Sequence, residues 1–511
     1  MKKLPIGIST LETIIKENYA YVDKTKIAYE LVTSGQYYFL SRPRRFGKTL
    51  FLDTLRSIFE GKKELFKGLY IYDKWDWNRT YPVLHISFAE GVLSSKQRIK
   101  EKIEQIFQSN QDRLKIVYRE KSSNPAIYFE NLIQKIYEKY QERVVILIDE
   151  YDKPILDNIE NKELALYARE ELKNMYSVIK GTDEYIKFVF ITGVSKFSKV
   201  SLFSGLNNLE DITLNPRYAT IAGYTQHDLE TVFAEHLRGQ DYEKIRRWYN
   251  GYKWLGEAVY NPFDILLFIS NNYLYRNYWF STGTPEFLLK LIEKNNYFLP
   301  DFENITKDES MLNSFDVDII ELETLMWQTG YLTIETYEMV LEKTEYKLKI
   351  PNLEVQQSLF GLIAEYITKS KGYPKYSGNI IRSLLAKDFD AFKRHLIALY
   401  ASIPYHLFVH NRMYEKEGYY VSVFYAYMKG LGVEAIAEDV TDKGRIDLTL
   451  VFPESIYIME FKVNGTGTLE QIHAMGYYEK YSNAQKPIYL VGIEFDTTIR
   501  NVRNLVWEEK R

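Results

Sequence analysis

The sequence predicts an α/β protein in which a parallel sheet is followed by a mostly helical region and then by a second α/β region. Over residues 1–223, short β-branched or aromatic runs alternate with longer amphipathic segments, which is typical of a parallel sheet covered by helices on both faces. From Tyr224 to Tyr346 the pattern is mostly helical and rich in aromatic residues. Strands that alternate apolar and polar residues return near the C-terminus. We therefore expect three domains, at 1–223, 224–372 and 373–511.

Apolar periodicity predicts the elements of the first domain. The strand candidates are short runs of β-branched, aromatic and aliphatic residues, and the helix candidates repeat apolar positions at intervals of three and four. The predicted strands are 37–41, 83–88, 144–149 and 188–193, and the predicted helices are 48–61 and 96–115.

Turn signals divide the rest of the chain. Three islands rich in aromatic residues and turn formers lie at 248–254, 260–262 and 278–285. The segment 373-YPKYSG-378 is expected to be a loop that leads into the last domain. The elements predicted there are helices at 384–400 and 415–432, strands at 445–452 and 456–463, and a helix from Thr468.

Composition excludes several classes of protein. Apolar residues make up 46% and charged residues 26% of the 511 residues, which indicates an ordinary globular chain. Because the chain has no cysteine, disulfides and thiolate metal sites are excluded, and we expect a cytoplasmic protein. We expect no secretion signal and no membrane partner, since the longest apolar runs, 144–148 and 188–191, are far too short to cross a bilayer. The net charge of −3 neither recruits nor excludes nucleic acid.

The stretch 42-RPRRFGKTL-50 has most features of a phosphate-binding loop. Such a loop points backbone N–H groups, a helix N-terminus and a lysine at the same phosphates, and it leaves a hydroxyl for magnesium. Gly47, Lys48 and Thr49 occupy the required positions between a predicted strand and a predicted helix. Arg42 stands where the motif has its first glycine, so the loop by itself is also explained by a chance helix start.

A second strand end supports the phosphate-binding interpretation. Five apolar residues lead to Asp149 and Glu150, which is how a buried strand delivers one carboxylate to magnesium and the next to an attacking water. Thr192 and Ser195 follow the next strand and are candidates for sensing a γ-phosphate, although a Thr-Gly strand end is also ordinary turn chemistry.

Another group of charged residues lies on two neighbouring strands near the C-terminus. Glu460 and Lys462 share one face of their strand, and Asp447 on the preceding strand reaches the same point. Carboxylates suit Mg²⁺ or Mn²⁺, which lower the pKa of a bound water, and a lysine can orient that water or stabilise negative charge. Without its context, the triplet also fits an ordinary cross-strand salt bridge.

Two flanking helices add polar residues to this group. Glu417 begins one predicted helix and is a further candidate carboxylate. The helix from Thr468 is expected to place Gln471 and Tyr478 on one side, because they are seven residues apart.

Five strings of the first domain closely resemble the predicted AAA-ATPase-like family. They are 21-YVDKT-25, 42-RPRRFGKTL-50, 146-ILIDEYDKPI-155, 192-TGVSKFSKVSLFSGLNNLEDIT-213 and 221-IAGYT-225. In that family the RPRRFGK[ST] loop is the usual form, so the resemblance implies a functional P-loop with ATP and Mg²⁺ as ligands. The residues that the resemblance places at the nucleotide are Arg44, Arg45, Phe46, Gly47, Lys48, Thr49, Asp149 and Thr192, with Glu150 as the catalytic carboxylate.

The arginines of the loop have two interpretations. Arg42, Arg44 and Arg45 either lie along a phosphate tail or stack on a base, or they form a solvated positive face. The resemblance also raises a homo-oligomer, because active oligomeric relatives are expected to receive an arginine finger from a neighbouring subunit. Arg217 is the candidate for that role.

The C-terminal group resembles the PD-(D/E)xK nuclease superfamily, in particular the module that is fused to the ATPase-like family. The resemblance spans residues 415–481 and departs from the pattern where Ile446 replaces a frequent proline. It implies that Glu417, Asp447 and Glu460 hold the metal, that Lys462 is the catalytic lysine, and that Gln471 and Tyr478 support the site.

Three functions remain open. The first is an ATPase coupled to a metal-dependent nuclease that cuts DNA, with DNA processing or defence as the role that the family architecture implies. The second is a nucleotide-dependent switch that binds nucleic acid or a protein without cutting. The third is an ATPase whose C-terminal module is a protein-interaction scaffold, which differs from the first only at Asp447, Glu460 and Lys462. Glu150 and Lys462 favour the enzyme, whereas the near balance of 15 basic and 17 acidic residues from Ala386 onward favours the switch.

Overall fold

The computed structural model describes residues 1–117, 124–196, 202–203, 206, 208–279, 288–289, 292, 299–303, 305–309, 321–368, 374–403 and 417–510. The chain divides into two compact units, one formed by Met1–Thr282 and Thr306–Asn352 and the other by Gly283–Ile305 and Leu353–Arg511. The predicted boundaries after residues 223 and 372 stay a prediction. None of the described helices combines the length and apolar character of a membrane span.

The first unit contains a five-stranded parallel sheet. Every residue of β3 is buried, as its uninterrupted apolar run predicts, because helices cover both faces of such a sheet. The sheet order is β2-β3-β4-β1-β5, so β4 separates the strand before the phosphate-binding loop from the strand that ends in Asp149. The strands are β1 Tyr37–Ser41, β2 Val83–Ser87, β3 Val144–Asp149, β4 Ile186–Gly193 and β5 Glu210–Asp211.

Seven helices accompany this sheet in the described part of the chain. Phe51 and Phe59 of α3 pack against Phe190 and Phe188 of β4, with ring centroids 5.7 and 5.3 Å apart. The apolar stripe of α3 therefore fixes the helix that follows the loop onto the sheet. The helices are α1 Leu11–Lys16, α2 Thr25–Ser34, α3 Lys48–Phe59, α4 Lys96–Arg113, α5 Pro125–Tyr140, α6 Lys153–Leu156 and α7 Lys162–Gly181.

The remainder of the first unit combines helices with a small sheet. We expected mostly helices from Tyr224 to Tyr346, and this expectation is wrong at its C-terminal end, where β7 and β8 form an antiparallel hairpin. The alternation of a strand is present in β8, where buried Tyr346 and Leu348 alternate with exposed Lys347 and Lys349. The helices are α8 Gln226–Thr231, α9 Tyr242–Tyr249, α10 Pro262–Ser270 and α11 Leu322–Thr329, and the strands are β6 Ile305–Asp308, β7 Thr333–Val340 and β8 Lys343–Lys349.

The second unit contains a mixed five-stranded sheet in the order β13-β12-β11-β10-β9. The pairs β9–β10, β10–β11 and β12–β13 are antiparallel, and β11 and β12 are parallel. Leu448 pairs with Met459, so the same register places Asp447 opposite Glu460. The strands are β9 Glu434–Val440, β10 Arg445–Val451, β11 Ile456–Val463, β12 Ile488–Asp496 and β13 Asn501–Lys510.

The helices of the second unit correct two sequence predictions. Pro374 begins a helix within the predicted loop 373–378, because proline is well suited to the first helical position. The predicted helix 384–400 is interrupted after Leu385, and Lys387 has a φ of 60°. The helices are α12 Leu353–Thr368, α13 Pro374–Leu385, α14 Phe389–Ala401, α15 Glu417–Gly430 and α16 Thr468–Met475. Residues 280–285, 373 and 415–416, which belong to predicted elements, lie outside the described residues.

Gly251 provides a test of the packing around the first turn-marked island. Its φ is +117°, and a Cβ there would lie 2.0 Å from the carbonyl oxygen of Pro351. Gly68 also has a positive φ, +82°, but nothing lies within 4 Å of its Cβ position. We expect Gly251→Ala to lower the free energy of unfolding by about 3 kcal/mol or more, through strain plus a clash, and Gly68→Ala by about 1 kcal/mol, through strain alone. Chemical denaturation of both variants measures the difference, and equal losses would contradict the close approach to Pro351.

Candidate nucleotide and nuclease sites

The loop between β1 and α3 has the geometry of a phosphate-binding loop. Arg45 and Gly47 have φ angles of 71° and 94°, which are left-handed, and they alternate with residues of negative φ. This alternation turns successive backbone N–H groups towards one concavity. Lys48 Nζ donates to the carbonyl oxygens of Arg42 and Pro43, both at 2.9 Å. The lysine therefore folds back over the loop, at the position from which it can reach a phosphate.

Asp149 is oriented by hydrogen bonds from two threonines. Thr49 Oγ1 donates to Asp149 Oδ2 at 2.7 Å, although the two residues are 100 positions apart. Thr192 Oγ1 donates to Asp149 Oδ1 at 2.8 Å and is fully buried. Thr192 thus acts on the carboxylate of Asp149, and its hydroxyl does not point into open space as a phosphate sensor would.

Glu150 follows Asp149 at the edge of a cavity. Its backbone has a φ of 51°, which turns the side chain away from the strand direction. Burial, and next the charge of Asp149, raises the pKa of the Glu150 carboxyl above its ordinary value. A carboxylate with a raised pKa is better matched to accept a proton near neutral pH.

The loop after β4 is held by a buried carboxylate. Asp152 Oδ2 accepts from the backbone N–H groups of Val194 and Ser195 at 3.1 and 2.6 Å, and it also accepts from the Ser195 hydroxyl. Ser195 is 2% exposed. The serine that we considered a γ-phosphate sensor is therefore part of an internal network, whereas Asp152, three residues after Asp149, is a structural carboxylate that the sequence analysis missed.

A cavity of about 560 Å³ joins the loop to an apolar wall. Its polar end is formed by Arg44 to Thr49 and Glu150. A volume of this size accommodates a small ligand. The apolar wall comes from three segments that are far apart in sequence, and its members are Ile8, Ile14, Val22, Ile221, Phe263 and Leu266.

Arg42 does not take either of the roles that the sequence predicted for it. Its side chain is 1% exposed and donates to the carbonyl oxygens of Ser41, Thr213 and Tyr218 at 2.8, 2.9 and 3.3 Å. The guanidinium carbon lies 4.1 Å from the ring centroid of Trp254. Burial lowers the pKa of the Arg42 guanidinium to about 9. Arg42 is an internal support of the loop, not a phosphate ligand and not part of a solvated face.

The neighbouring residues of the loop have different surroundings. Arg44 and Arg45 are exposed and line the cavity, and the Arg45 guanidinium lies 4.8 Å from the ring centroid of Phe263. Phe46 is 1% exposed, and its ring packs edge-on against Tyr252 at 4.8 Å between centroids. The side chain of Phe46 therefore anchors the loop, which leaves its backbone for a ligand.

The C-terminal carboxylates converge on one face of the second sheet. Lys462 Nζ lies 3.8 Å from Glu460 Oε1, and Asp447 Oδ2 accepts from the backbone N–H of Phe461 at 2.8 Å. Burial raises the pKa of Asp447 to about 7 and that of Glu460 to about 8. The charge of Asp447 raises the pKa of Glu460 further, whereas the ammonium of Lys462 lowers both values. Burial also raises the pKa of Glu417, whose charge acts on both of the other carboxyls.

The helix after these strands brings Gln471 to the site but takes Tyr478 away from it. Gln471 Nε2 donates to Glu460 Oε1. The expectation of one continuous helix is wrong, because Gly476 has a φ of 59° and a 3₁₀ segment, Tyr477–Ala484, follows. Tyr478 packs under Lys510, whose Nζ lies 4.0 Å from the tyrosine ring centroid. Tyr477 takes its place, since Gln471 hydrogen-bonds to Tyr477 and the charge of Glu460 raises the pKa of that phenol after burial does.

The donors at both sites fit a divalent cation of the magnesium type. Among the described residues, no group of three or more His, Asp or Glu is arranged to hold a metal ion by itself. Magnesium, however, is commonly held by one or two carboxylates, with waters and substrate phosphates as the other ligands. Asp447 and Glu460 supply such a pair, and Glu460 Oε2 is buried without a hydrogen-bond partner in the described structure. In the first unit, Thr49 and Asp149 supply a hydroxyl and a carboxylate.

Comparison with known proteins gives two family matches, one around each of the two candidate sites. Residues 5–203 match the family model described as predicted AAA-ATPase, and residues 415–505 match the PD-(D/E)XK nuclease superfamily. The chain is 45% identical to an uncharacterized protein in the vnfD 5′ region of Azotobacter chroococcum mcd 1 over 513 residues, which cover 99% of this chain and 99% of that protein. The chain belongs to the predicted AAA-ATPase family. Its C-terminal module is of the PD-(D/E)XK nuclease superfamily, and no solved structure matches the chain.

The structure of this predicted AAA-ATPase adds residues that local sequence reasoning missed. Asp152 lies inside the string 146-ILIDEYDKPI-155, so its acidic side chain next to the predicted carboxylates was a usable signal. Tyr477 could be found only by recognising Gly476 as a helix end. Arg217, the candidate arginine finger, is exposed and its Nε pairs with Glu30 at 3.1 Å, and its role in an oligomer stays a prediction.

The raised pKa values of the nuclease-type site predict a pH-dependent stability. Because Asp447 and Glu460 have higher pKa values in the folded protein than in the unfolded chain, the folded state binds more protons between their ordinary values and pH 7 to 8. Stability is therefore lost as the pH rises through this window. We expect the melting temperature of the metal-free protein to decrease as the pH is raised from about 6 to about 8.5. The decrease should be smaller in Glu460→Gln.

The exposed Glu479 gives a matched control, because Glu479→Gln removes a charge from the same unit without changing Asp447 or Glu460. Magnesium should raise the melting temperature of the wild type at the higher pH and leave that of Glu460→Gln almost unchanged. Differential scanning fluorimetry measures both effects. An equal loss of stability in wild type and Glu460→Gln would contradict the assignment of the titration to this site.

Proposed function

We propose that the chain is an ATP-hydrolysing protein coupled to a metal-dependent nuclease that hydrolyses phosphodiester bonds in DNA. The observation that carries the first half is the contact of Thr49 with Asp149 beside a lysine that closes the loop. The second half is supported by half-buried Asp447 and buried Glu460 beside Lys462. We place both activities in the cytoplasm of a bacterium, in DNA processing or defence.

The cavity supports binding of a nucleoside triphosphate with its phosphates on the loop. The N–H groups that precede α3 and the ammonium of Lys48 are the donors for the β- and γ-phosphates. Exposed Arg44 and Arg45 add positive charge at the same end, and the apolar wall around Phe263 is the surface for the base. Magnesium at Thr49 and Asp149 would neutralise phosphate charge.

Hydrolysis is assigned to Glu150. It lines the cavity next to Lys48, and its raised pKa suits the transfer of a proton from an attacking water. Asp149 accepts from Thr192 and Asp152 accepts from Ser195, so the backbone on both sides of Glu150 is tied to the end of β4 and to the loop after it.

At the second site each side chain has one proposed role. Asp447 and Glu460 hold the metal, which when bound supplies Lewis-acid stabilisation of the phosphate and lowers the pKa of water. Lys462 orients the attacking water and offsets developing negative charge. Gln471 holds Glu460 in its orientation, and Glu417 adds a third negative charge that favours cation binding.

The ATPase prediction is tested at Glu150. Glu150→Gln keeps the size of the side chain and removes its basicity, so the turnover number for ATP should fall at least ~100-fold while nucleotide affinity is retained. Phosphate release and binding of a fluorescent ATP analogue measure the two quantities. Glu163→Gln, which changes an exposed carboxylate at the start of α7, should behave as wild type. A Glu150→Gln protein with normal turnover would remove Glu150 from the mechanism.

The nuclease prediction is tested at Lys462. Wild type should cleave linear, circular or single-stranded DNA with magnesium, and Lys462→Ala should lower the rate at least ~100-fold. Lys443→Ala, a change at an exposed lysine of the same unit that pairs with Glu479, should leave cleavage intact. Cleavage by Lys462→Ala at the wild-type rate would exclude the assigned site. If ATP is hydrolysed and no DNA form is cut, the module is a binding module and the chain is a nucleotide-dependent switch.

A further inference from the structure

One segment of the first unit touches both loops that flank the proposed nucleotide site. It begins with Gln328 near the end of α11 and continues through Gly330 and Tyr331, which are followed by β7. Its contacts indicate that it couples the loop after β4 to the loop before α3.

Gln328 binds the backbone of the loop after β4. Its side chain is 3% exposed, and Oε1 accepts from the backbone N–H of Lys196 at 3.0 Å. Nε2 lies 3.5 Å from the carbonyl oxygen of the same residue. The amide thus faces both backbone groups of Lys196, as a neighbouring strand would do. The side chain of Lys196 points elsewhere and pairs with Asp211.

Lys196 is linked to the ends of β3 and β4 through neighbouring residues that are hydrogen-bonded. The preceding Ser195 donates its N–H and hydroxyl to Asp152. Thr192, four residues before Lys196, donates to Asp149. A displacement of Asp149 or Asp152 is therefore transmitted to Thr192 or Ser195 through hydrogen bonds and then along the backbone to Lys196, which Gln328 holds from the other side.

The same segment rests on the phosphate-binding loop. Gly330 has a φ of +92°, and a Cβ there would lie 3.0 Å from Pro43. It would also lie 3.5 Å from Tyr252, whose ring packs against Phe46 of the loop. Pro43 supplies one of the two carbonyl groups that hold Lys48. The turn that carries Gln328 is thus in contact with the support of the phosphate-binding lysine.

We propose that Gln328 is a positioning residue for nucleotide hydrolysis, which holds residues 194–196 after β4 in a fixed position relative to the phosphate-binding loop. The proposal rests on the proposed ATPase function and adds a residue that touches neither nucleotide nor metal. Gln328 acts through Lys196 and, along the chain, through Gly330. Loss of its hydrogen bonds should therefore slow the chemical step and leave nucleotide affinity unchanged, because the phosphate contacts of the loop remain.

The test uses Gln328→Met in the full chain, because methionine keeps the length of the side chain and removes both polar atoms. We expect the turnover number for ATP to fall ~10-fold or more, with the dissociation constant of a non-hydrolysable ATP analogue within ~2-fold of wild type. The matched control is Gln111→Met. Gln111 is also buried and accepts from Tyr128 at 2.9 Å, but it lies on α4. The control should keep the wild-type turnover number.

Amide hydrogen exchange separates this proposal from the ATPase assignment. In the nucleotide-free protein, exchange at Lys196 should be faster in Gln328→Met than in wild type and unaffected by Gln111→Met. If wild type hydrolyses ATP and Gln328→Met is equally active, the proposal is overturned and the ATPase assignment stands. The same holds if Gln328→Met and Gln111→Met lose the same fraction of the turnover number. A wild type without hydrolysis overturns the ATPase. Unchanged exchange at Lys196 in that case overturns the role of Gln328 as well.

Discussion

The buried guanidinium of Arg42 is the interaction on which the candidate nucleotide site depends. It donates hydrogen bonds to the carbonyl oxygens of Ser41, Thr213 and Tyr218 and stacks on Trp254. It therefore links the end of β1 to two segments that are distant in sequence. Its own carbonyl oxygen accepts from Lys48. A buried cation is tolerated only where such acceptors surround it, and its removal would leave those acceptors unsatisfied. Arginine at the first position of the loop is therefore a different way of fixing the same turn, and the glycine of the common motif is not needed there.

The sequence predicts the fold well where the local pattern of apolar residues alone determines which residues are buried. Strands β1, β3 and β11 begin and end where their apolar or alternating runs do, because the run itself sets what a sheet can bury. The errors lie where one local signal has two structural outcomes. Pro374 is equally suited to a loop and to the first turn of a helix, and tertiary packing decides between them. The hairpin β7–β8 was overlooked because a mostly helical neighbourhood was extended across a segment with strand periodicity.

The candidate sites show the same limit. Asp149, Glu150, Glu460 and Lys462 were predicted because a strand end or a shared strand face places them by geometry alone. The surroundings of Arg42 could not be predicted in this way, since its acceptors on Thr213 and Tyr218 are 171 and 176 positions away. Tyr478 was assigned in place of Tyr477 because the spacing of seven assumes an unbroken helix, and Gly476 breaks it. Residue identity thus predicts the chemistry of a site, whereas long-range contacts decide which neighbour completes it.

The two candidate sites also differ in how their charges are balanced, and this difference bears on what each would select. In the first unit, Lys48 has two carbonyl partners and Asp149 accepts from Thr49, Thr192 and the N–H of Glu150, so the fold already satisfies these groups. A ligand must offer Lys48 something stronger than neutral carbonyls, and the doubly charged end of a triphosphate does so. In the second unit, burial raises the pKa of both Asp447 and Glu460, and the charge of Asp447 raises that of Glu460 further. Glu460 Oε2 lacks a hydrogen-bond partner in the described structure. That site therefore gains from the positive charge of a bound cation, and its oxygen donors favour a cation of the magnesium type.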